Sequence, residues 1–190
     1  MRAFVGLALD EAATLCLMNL QSGLHDVRWL DPNDFHLTLA FLGEISAEQR
    51  SELELQLDAL VLNEVEIQID GLGCFERNGK TQAAWASVAD DQALSDLALC
   101  VRKAAKMADI DCDPAKFRPH VTLARFGKRP ISALDDWIKH RADQARASCW
   151  CQDFGLYSSS LKPSGARYRL ESSFGLQSFE QLWTDEPAAN

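Results

Sequence analysis

The chain has 190 residues, of which 47% are hydrophobic and 25% charged, and its formal net charge is −9. This composition excludes a disordered or fibrous protein, and no apolar run reaches membrane-spanning length. The negative charge argues against a protein that coats long nucleic acids, because such binding neutralises many phosphates. We expect one compact domain over residues 1–190 that is cytoplasmic, monomeric and free of the membrane.

Hydrophobic periodicity predicts eight strands, beginning with residues 3–9. Asp10 and Glu11 interrupt the apolar N-terminus, so we expect a helix there rather than a signal peptide. Further helices are predicted after Ser46, which forms a capping box with Gln49, over 93–107 and over 131–145. The other predicted strands are 27–30, 35–42, 65–72, 83–88, 120–126, 149–157 and 168–174. This order predicts an α+β fold of two related halves, with antiparallel sheets facing inward and helices outside.

A short sequence repeat supports the idea of two halves. FHLTLAFLG, residues 35–43, shares His, Thr, Leu, Ala and Gly at the same offsets with HVTLARFG, residues 120–127. Such a match is accidental in roughly a few of a thousand chains. The similarity extends upstream, where DPNDF precedes His36 and DPAKFRP precedes His120. The repeat indicates a duplication.

Strand alternation gives each copy of the repeat one polar face. On these faces we expect His36, Thr38 and Ala40 in the first copy, and His120, Thr122 and Ala124 in the second. If the halves pack about an approximate two-fold axis, the two faces meet across a cleft. Imidazoles titrate near pH 6.5, so the two histidines can act as an acid and base pair, and the threonines can hold phosphate oxygens.

The paired motifs and their surroundings resemble the two-histidine phosphoesterase superfamily, and within it the LigT-like RNA 2′,3′-cyclic phosphodiesterases, also called 2′-5′ RNA ligases. VRWLDPNDFHLTLAFLGEI and FRPHVTLARFGK are similar to the two His-x-Thr regions of that family. GLGCFERNGKTQAAWASV is similar to its middle hairpin, and LYSSSLKPSGARYRL to its C-terminal hairpin. The resemblance covers nearly the whole chain and implies a bilobal fold with a central cleft.

The resemblance also implies roles for individual residues. His36 would donate a proton to the leaving ribose oxygen, His120 would activate a water, and Thr38 and Thr122 would bind the phosphate. The implied substrate is RNA with a 2′,3′-cyclic phosphate end or a small cyclic nucleotide, the product is a 2′-phosphomonoester, and reversible 2′-5′ ligation is a further implied activity. No cofactor or metal is implied, and positioning with proton transfer suffices for this chemistry.

Arg125 occupies a position that the family uses for an arginine near the phosphate, although simple alternation puts it on the face opposite His120. We expect it to reach the phosphate if the strand twists or ends there; the alternative is a surface ion pair. It belongs to a basic cluster with Lys116, Arg118, Lys128 and Arg129. The cluster could focus positive potential on the second motif or form a solvated edge.

Three further features have simple structural interpretations. Phe41 and Phe75 are expected in the core, with base stacking as the alternative. Lys162, Ser164 and Gly165 are typical of a turn that could also contact a nucleotide. The six cysteines lack the spacing of a zinc site and are expected to be reduced thiols that pack, with Cys149 and Cys151 on the same face of a strand.

Two other functions remain open from the residues. One is a binding module that holds an RNA end or a small nucleotide without turnover, against which the two intact histidines argue. The other is a phosphoesterase for a different cyclic or linear 2′-5′ phosphodiester. Serine or cysteine nucleophile chemistry is disfavoured, because neither histidine has such a motif beside it.

Overall fold

The computed structural model describes residues 1–77, 80–127, 133–162 and 165–178. Its helices are α1 Glu11–Met18, α2 Ala47–Asp58, α3 Gln92–Met107 and α4 Leu134–Arg141, with 3₁₀ turns at Pro32–Asp34 and Ala142–Gln144. Its strands are β1 Arg2–Ala8, β2 Val27–Trp29, β3 His36–Glu44, β4 Val65–Arg77, β5 Lys80–Val88, β6 His120–Phe126, β7 Arg146–Cys151, β8 Asp153–Lys162 and β9 Gly165–Gly175. Most predicted elements are confirmed within a few residues, while β4, β5 and β9 extend further.

The strands form one antiparallel sheet in the order β7-β4-β5-β6-β3-β1-β8-β9, with β2 beside β6. The two strands that carry the repeat, β3 and β6, are neighbours in the middle of this order and pair at Leu37 and Val121. Each half of the sheet therefore contributes one copy of the repeat. This confirms the predicted α+β fold of two related halves.

The predicted single strand over residues 149–157 is wrong. β7 pairs with β4 in one half, whereas β8 pairs with β1 and β9 in the other half, and only Gln152 lies between them. Because one residue joins strands that are far apart in the sheet order, the sheet must curl to bring them together. The backbone N–H of Leu176 donates to the carbonyl oxygen of Gln152 at 2.8 Å near this crossing. Local periodicity does not detect such a break, because the pairing partners of the two strands are far away in the sequence.

Helices α2 and α3 begin within one residue of their predicted starts, whereas α4 spans Leu134–Arg141 of the predicted 131–145, of which 131 and 132 lie outside the described residues. The Ser46 hydroxyl accepts from the Gln49 backbone N–H at 3.1 Å, and the Gln49 side chain accepts from the Ser46 backbone N–H at 3.0 Å, which confirms the capping box. One face of α3 is buried, including Leu94, Leu97 and Val101. No helix among the described residues combines the length and apolarity needed to cross a membrane. The single-domain organisation and the monomeric state stay predictions.

All six cysteines are unpaired thiols in the structure. Cys149 and Cys151 are both buried in the hydrophobic core, on the same face of β7 as predicted. Across the described ranges, no group of three His, Cys, Asp or Glu side chains is arranged to hold a metal ion.

Candidate active site

A β-bulge in each central strand decides which side chains reach the cleft. On β3, Thr38 pairs with Gly6 and Ala40 pairs with Val5, so Leu39 has no partner opposite it. One extra residue reverses the alternation of side chains beyond it. The prediction that Ala40 shares the face of His36 is therefore wrong: Ala40 is 2% exposed in the core, whereas Phe41 is 50% exposed.

The second copy of the repeat has the same irregularity. On β6, Thr122 pairs with Trp85 and Ala124 pairs with Ala84, which leaves Leu123 as the extra residue. Ala124 is buried in the core, so its predicted place on the polar face is also wrong. Beyond the bulge Arg125 turns to the face of His120. The bulge thus supplies the change of direction that simple alternation denied to Arg125.

The five site residues predicted from the sequence line one cavity of about 230 Å³, called here the central cavity. They are His36, Thr38, His120, Thr122 and Arg125, with Phe41, Phe75 and Tyr168 among the other lining residues. If the Leu37–Val121 pairing is continued by one residue in each direction, each histidine lies opposite the threonine of the other copy. Because Phe41 and Phe75 are among the residues that line this cavity, the expectation that they lie in the core is wrong.

Each histidine ring is hydrogen-bonded to the backbone carbonyl oxygen two residues before it. The Nδ1 atom of His36 lies 2.7 Å from the carbonyl oxygen of Asp34, and that of His120 lies 2.7 Å from the carbonyl oxygen of Arg118. A carbonyl oxygen can only accept, so Nδ1 carries the proton in each ring. The remaining nitrogen, Nε2, can then accept a proton in the neutral ring and donate one in the imidazolium.

Aromatic rings enclose each imidazole. His36 lies between Phe4 and Tyr168, whose ring centroids are 4.6 and 4.8 Å away. Phe75 meets His120 edge to face, with centroids 4.8 Å apart, and Trp85 lies on it at 5.9 Å. These rings cover part of each imidazole, and both histidines are half-buried.

Burial disfavours the charged form of both histidines. It lowers the pKa of His36 to about 4, against opposing effects of the Asp34 carbonyl and carboxylate, and the positive charge of Arg125 adds to the lowering. Burial, followed by the charge of Arg125, also lowers the pKa of His120, while its bond to the Arg118 carbonyl opposes this. Both imidazoles are therefore predominantly neutral at pH 7 when the site holds no anion.

Sequence reasoning missed an ion-pair network, with one buried member, that supports His36. Asp34 is 8% exposed, and its carboxylate accepts from Arg167 Nη1 at 2.9 Å and from the backbone N–H of Tyr168 at 3.3 Å. Arg167 also donates to Asp31 at 2.6 Å. The network fixes the carbonyl that holds His36 and the ring that covers it. The sequence signal for this network is the segment DPNDF, which also belongs to the repeat.

Arg125 has no carboxylate partner in the part of the chain that the structure describes, so the alternative of a surface ion pair is not supported. The hydroxyls of Thr38 and Thr122 likewise make no hydrogen bond within the described ranges. All three side chains line the central cavity. Their donors are therefore available to a ligand there.

Two of the larger cavities that share lining residues with the central cavity differ in their chemistry. One, of about 420 Å³, shares Thr38 and His120 with it; we call it the apolar cavity, because three phenylalanines line it: Phe41, Phe75 and Phe117. Lys116 and Arg118 of the predicted basic cluster also line this cavity, whereas Lys128 and Arg129 lie outside the described residues.

The other adjoining cavity, of about 390 Å³, shares Arg125 and Tyr168 with the central cavity. It is lined by Arg28, Arg125 and Arg167, and we call it the arginine cavity. Gly165 also lines it. Gly165 pairs with Lys162 at the end of the β8–β9 hairpin, as the turn prediction requires, and Ser164 lies outside the described residues.

Comparison with known proteins agrees with this geometry. The chain matches the family model described as LigT like Phosphoesterase over residues 7–85 and 87–168, and each stretch contains one His-x-Thr motif. A protein of Archaeoglobus fulgidus named RNA 2′,3′-cyclic phosphodiesterase is 27% identical over 172 residues, which are 89% of this chain and 97% of that protein. A Thermotoga maritima protein of the same name is 26% identical over 178 residues, 90% of this chain and 92% of that one.

The fold is also similar to that of a solved structure. The crystal structure of E. coli LigT complexed with 3′-AMP aligns with a TM-score of 0.79 at 23% identity, covering 93% of this chain and 98% of that chain. At this level of identity the likeness shows the fold.

Proposed function

Because the chain belongs to the LigT-like phosphoesterase family, we propose that it hydrolyses a 2′,3′-cyclic phosphate at the end of an RNA or nucleotide to a 2′-phosphomonoester. The observation that carries the proposal is the symmetric pair of histidines, each with Nδ1 bonded to a carbonyl oxygen at 2.7 Å and both lining one cavity. The relatives named RNA 2′,3′-cyclic phosphodiesterase support the choice of reaction.

In the proposed reaction, His120 Nε2 accepts a proton from water as the water oxygen bonds to phosphorus. The bond between phosphorus and O3′ breaks, and His36 Nε2–H gives its proton to O3′. The products are a 2′-phosphate and a 3′-hydroxyl, and exchange with solvent restores the histidines. With the 5′-hydroxyl of a second RNA in place of water, the same forward steps would form a 2′-5′ phosphodiester, and their reversal would cleave it.

Thr38, Thr122 and Arg125 are assigned to the nonbridging phosphate oxygens. Two hydroxyls and a guanidinium placed before the anion arrives stabilise the charge that builds up on these oxygens in the transition state. The aromatic surroundings strengthen these contacts, because electrostatic interactions are stronger where water is excluded.

Substrate binding favours the protonated form of His36 that proton donation requires. In the absence of an anion, His36 has a pKa of about 4 and is neutral at pH 7. A phosphate monoanion beside the imidazole favours the cation and raises that pKa. Proton donation from His36 is thereby linked to occupation of the site.

The test is to incubate purified protein, in the presence of a chelator, with a nucleoside 2′,3′-cyclic phosphate and with an RNA bearing that end. Phosphorus NMR distinguishes a 2′-phosphate product from a 3′-phosphate. We expect the 2′ product, and a loss of roughly 10²- to 10⁴-fold in rate for His36→Gln and for His120→Gln.

The double variant should lose less than the product of the two single losses, because the two groups act on one transition state. Binding of both ligands with no turnover would overturn the proposal in favour of the binding module. Turnover that disappears with chelation and returns with zinc or magnesium would refute the metal-free mechanism.

A further inference from the structure

Two arginines face each other across the sheet at the edge of the site. In the β2–β6 pairing, Arg28 lies directly opposite Arg125. Directly opposed residues project to the same face of a sheet, with Cβ atoms about 5 Å apart, and like charges in this position destabilise the pair. Arg28 is exposed and, within the described residues, neither guanidinium has a carboxylate partner. An anion placed between them would offset the repulsion.

The arginine cavity has the charge that such an anion requires. Three arginines line it against two aspartates, Asp31 and Asp34. Both aspartates are bonded to Arg167, at 2.6 and 2.9 Å. The two carboxylates share this one guanidinium, so three arginines against two aspartates leave the lining with a net charge of +1, and neither Arg28 nor Arg125 is in an ion pair within the described residues.

The wall opposite Arg28 is shaped to keep its guanidinium in place. Gly165 has a φ of +128°, and a Cβ atom built there would lie 3.3 Å from Cζ of Arg28. A side chain at this position would press on the guanidinium, and the backbone conformation favours glycine. The start of β9 thus lies close against Arg28.

We propose that Arg28 binds the phosphodiester group that joins the cyclic-ended nucleotide to its 5′ neighbour, while Arg125 beside it holds the reacting phosphate, so that the preferred substrate is an oligonucleotide end. This rests on the proposed function. A terminal nucleotide has a base and a backbone to accommodate. The apolar cavity suits the base, which stacks on aromatic rings, and the arginine cavity suits the backbone phosphate.

The test compares two substrates that differ only in this phosphodiester: cytidine 2′,3′-cyclic phosphate, and the dinucleotide CpC with a 2′,3′-cyclic phosphate end. We expect the parent protein to have the higher kcat/KM on the dinucleotide. In Arg28→Gln, the ratio of dinucleotide to mononucleotide kcat/KM should fall about 10-fold, mainly through KM, as expected for a lost charge-assisted contact. Arg28→Lys should recover part of the ratio.

Salt dependence provides a second measurement. Loss of one phosphate contact should weaken the dependence of log kcat/KM on log salt for the dinucleotide, because salt screens the attraction between exposed charges. The matched control is Lys103→Gln, which makes the same change of charge on the exposed side of α3 and should keep the parental ratio and slope.

The outcomes separate this proposal from the proposed function. A parent protein that turns over neither substrate overturns the proposed function. Equal kcat/KM on the two substrates, or an unchanged ratio in Arg28→Gln, overturns the assignment of Arg28 and leaves the proposed function intact. An equal loss on both substrates would mean that Arg28 acts on the reacting phosphate, which also contradicts the second phosphate site.

Discussion

Replacing Asp34 by asparagine tests the support of His36 without changing the size of the side chain. Asp34 is a charged residue that is buried, at 8% exposure. Its carboxylate bonds to Arg167 Nη1 and to the backbone N–H of Tyr168. Asp34→Asn removes the negative charge and leaves a neutral amide in the same place.

The structure sets the expected loss of stability. A hydrogen bond to a charged group contributes about 1.5–3 kcal/mol, so the free energy of unfolding should fall by about 2 kcal/mol at pH 7. For a chain of this length that is a decrease of roughly 4–8 °C in Tm. Asp31→Asn is the matched control, because Asp31 bonds to the same guanidinium but its side chain is 32% exposed. Solvent screening should limit its effect to less than about 1 kcal/mol.

Activity should respond through the proton on His36. The Asp34 carboxylate opposes the lowering of the His36 pKa, so its removal lowers that pKa further and makes the imidazolium rarer. We expect kcat/KM at pH 7 to fall on the order of 10-fold, with the alkaline limb of the pH–rate profile moved to lower pH. Urea unfolding and kcat/KM from pH 4 to 9 measure both effects on the same samples.

Two results would refute this reasoning. If Asp31→Asn destabilises the protein as much as Asp34→Asn, burial does not set the strength of these contacts. If Asp34→Asn loses stability but keeps the parental alkaline limb, the network holds the fold without tuning His36.

The remaining predictions concern pH, phosphate binding and packing. The kcat/KM of the parent should follow a bell in pH, with the limbs of the free protein below 6.5 because the pKa values of His36 and His120 are both lowered; a monotonic profile would contradict acid and base catalysis. The pKa of His36 in the folded protein lies below its ordinary 6.5, so the stability that the neutral imidazole contributes is present above pH 6.5 and is lost as pH falls towards 4. In His36→Gln the free energy of unfolding, measured with urea, should therefore decrease by about 3 kcal/mol less than in the parent between pH 7 and pH 4. Arg125→Ala should reduce kcat/KM by about 10²- to 10³-fold, and parental kinetics would place its side chain away from the phosphate. Gly6→Ala should lower the free energy of unfolding, measured by thermal melts, by about 1–3 kcal/mol, because the new Cβ would lie 2.8 Å from the Leu37 carbonyl oxygen. Gly127→Ala is the control and should be near neutral in the same measurement, because no atom beyond its chain neighbours lies within 4 Å of the new Cβ.

The sequence alone selected polar residues that line the central cavity. The repeat of His and Thr two positions apart selected His36, Thr38, His120 and Thr122, because alternation within a short strand is a local property of the chain. The same patterns predicted two related halves and the helix that begins after Ser46. These predictions needed no knowledge of which strands are neighbours.

Strand pairing decided the rest. The bulges at Leu39 and Leu123 exist only relative to the partner strands, and they moved Phe41 and Arg125 into the cleft and the alanines into the core. The split of 149–157 into β7 and β8 likewise depends on their pairing with different halves of the sheet.

The contacts around the histidines are also long-range. Arg167 reaches Asp34 from a strand far along the chain, and Arg28 meets Arg125 only because β2 pairs with β6. No local sequence pattern predicts these long-range contacts, because strand register and burial are set only when distant strands pair. The sequence by itself therefore determined which groups could react, and the tertiary structure decided how they are oriented, protonated and surrounded.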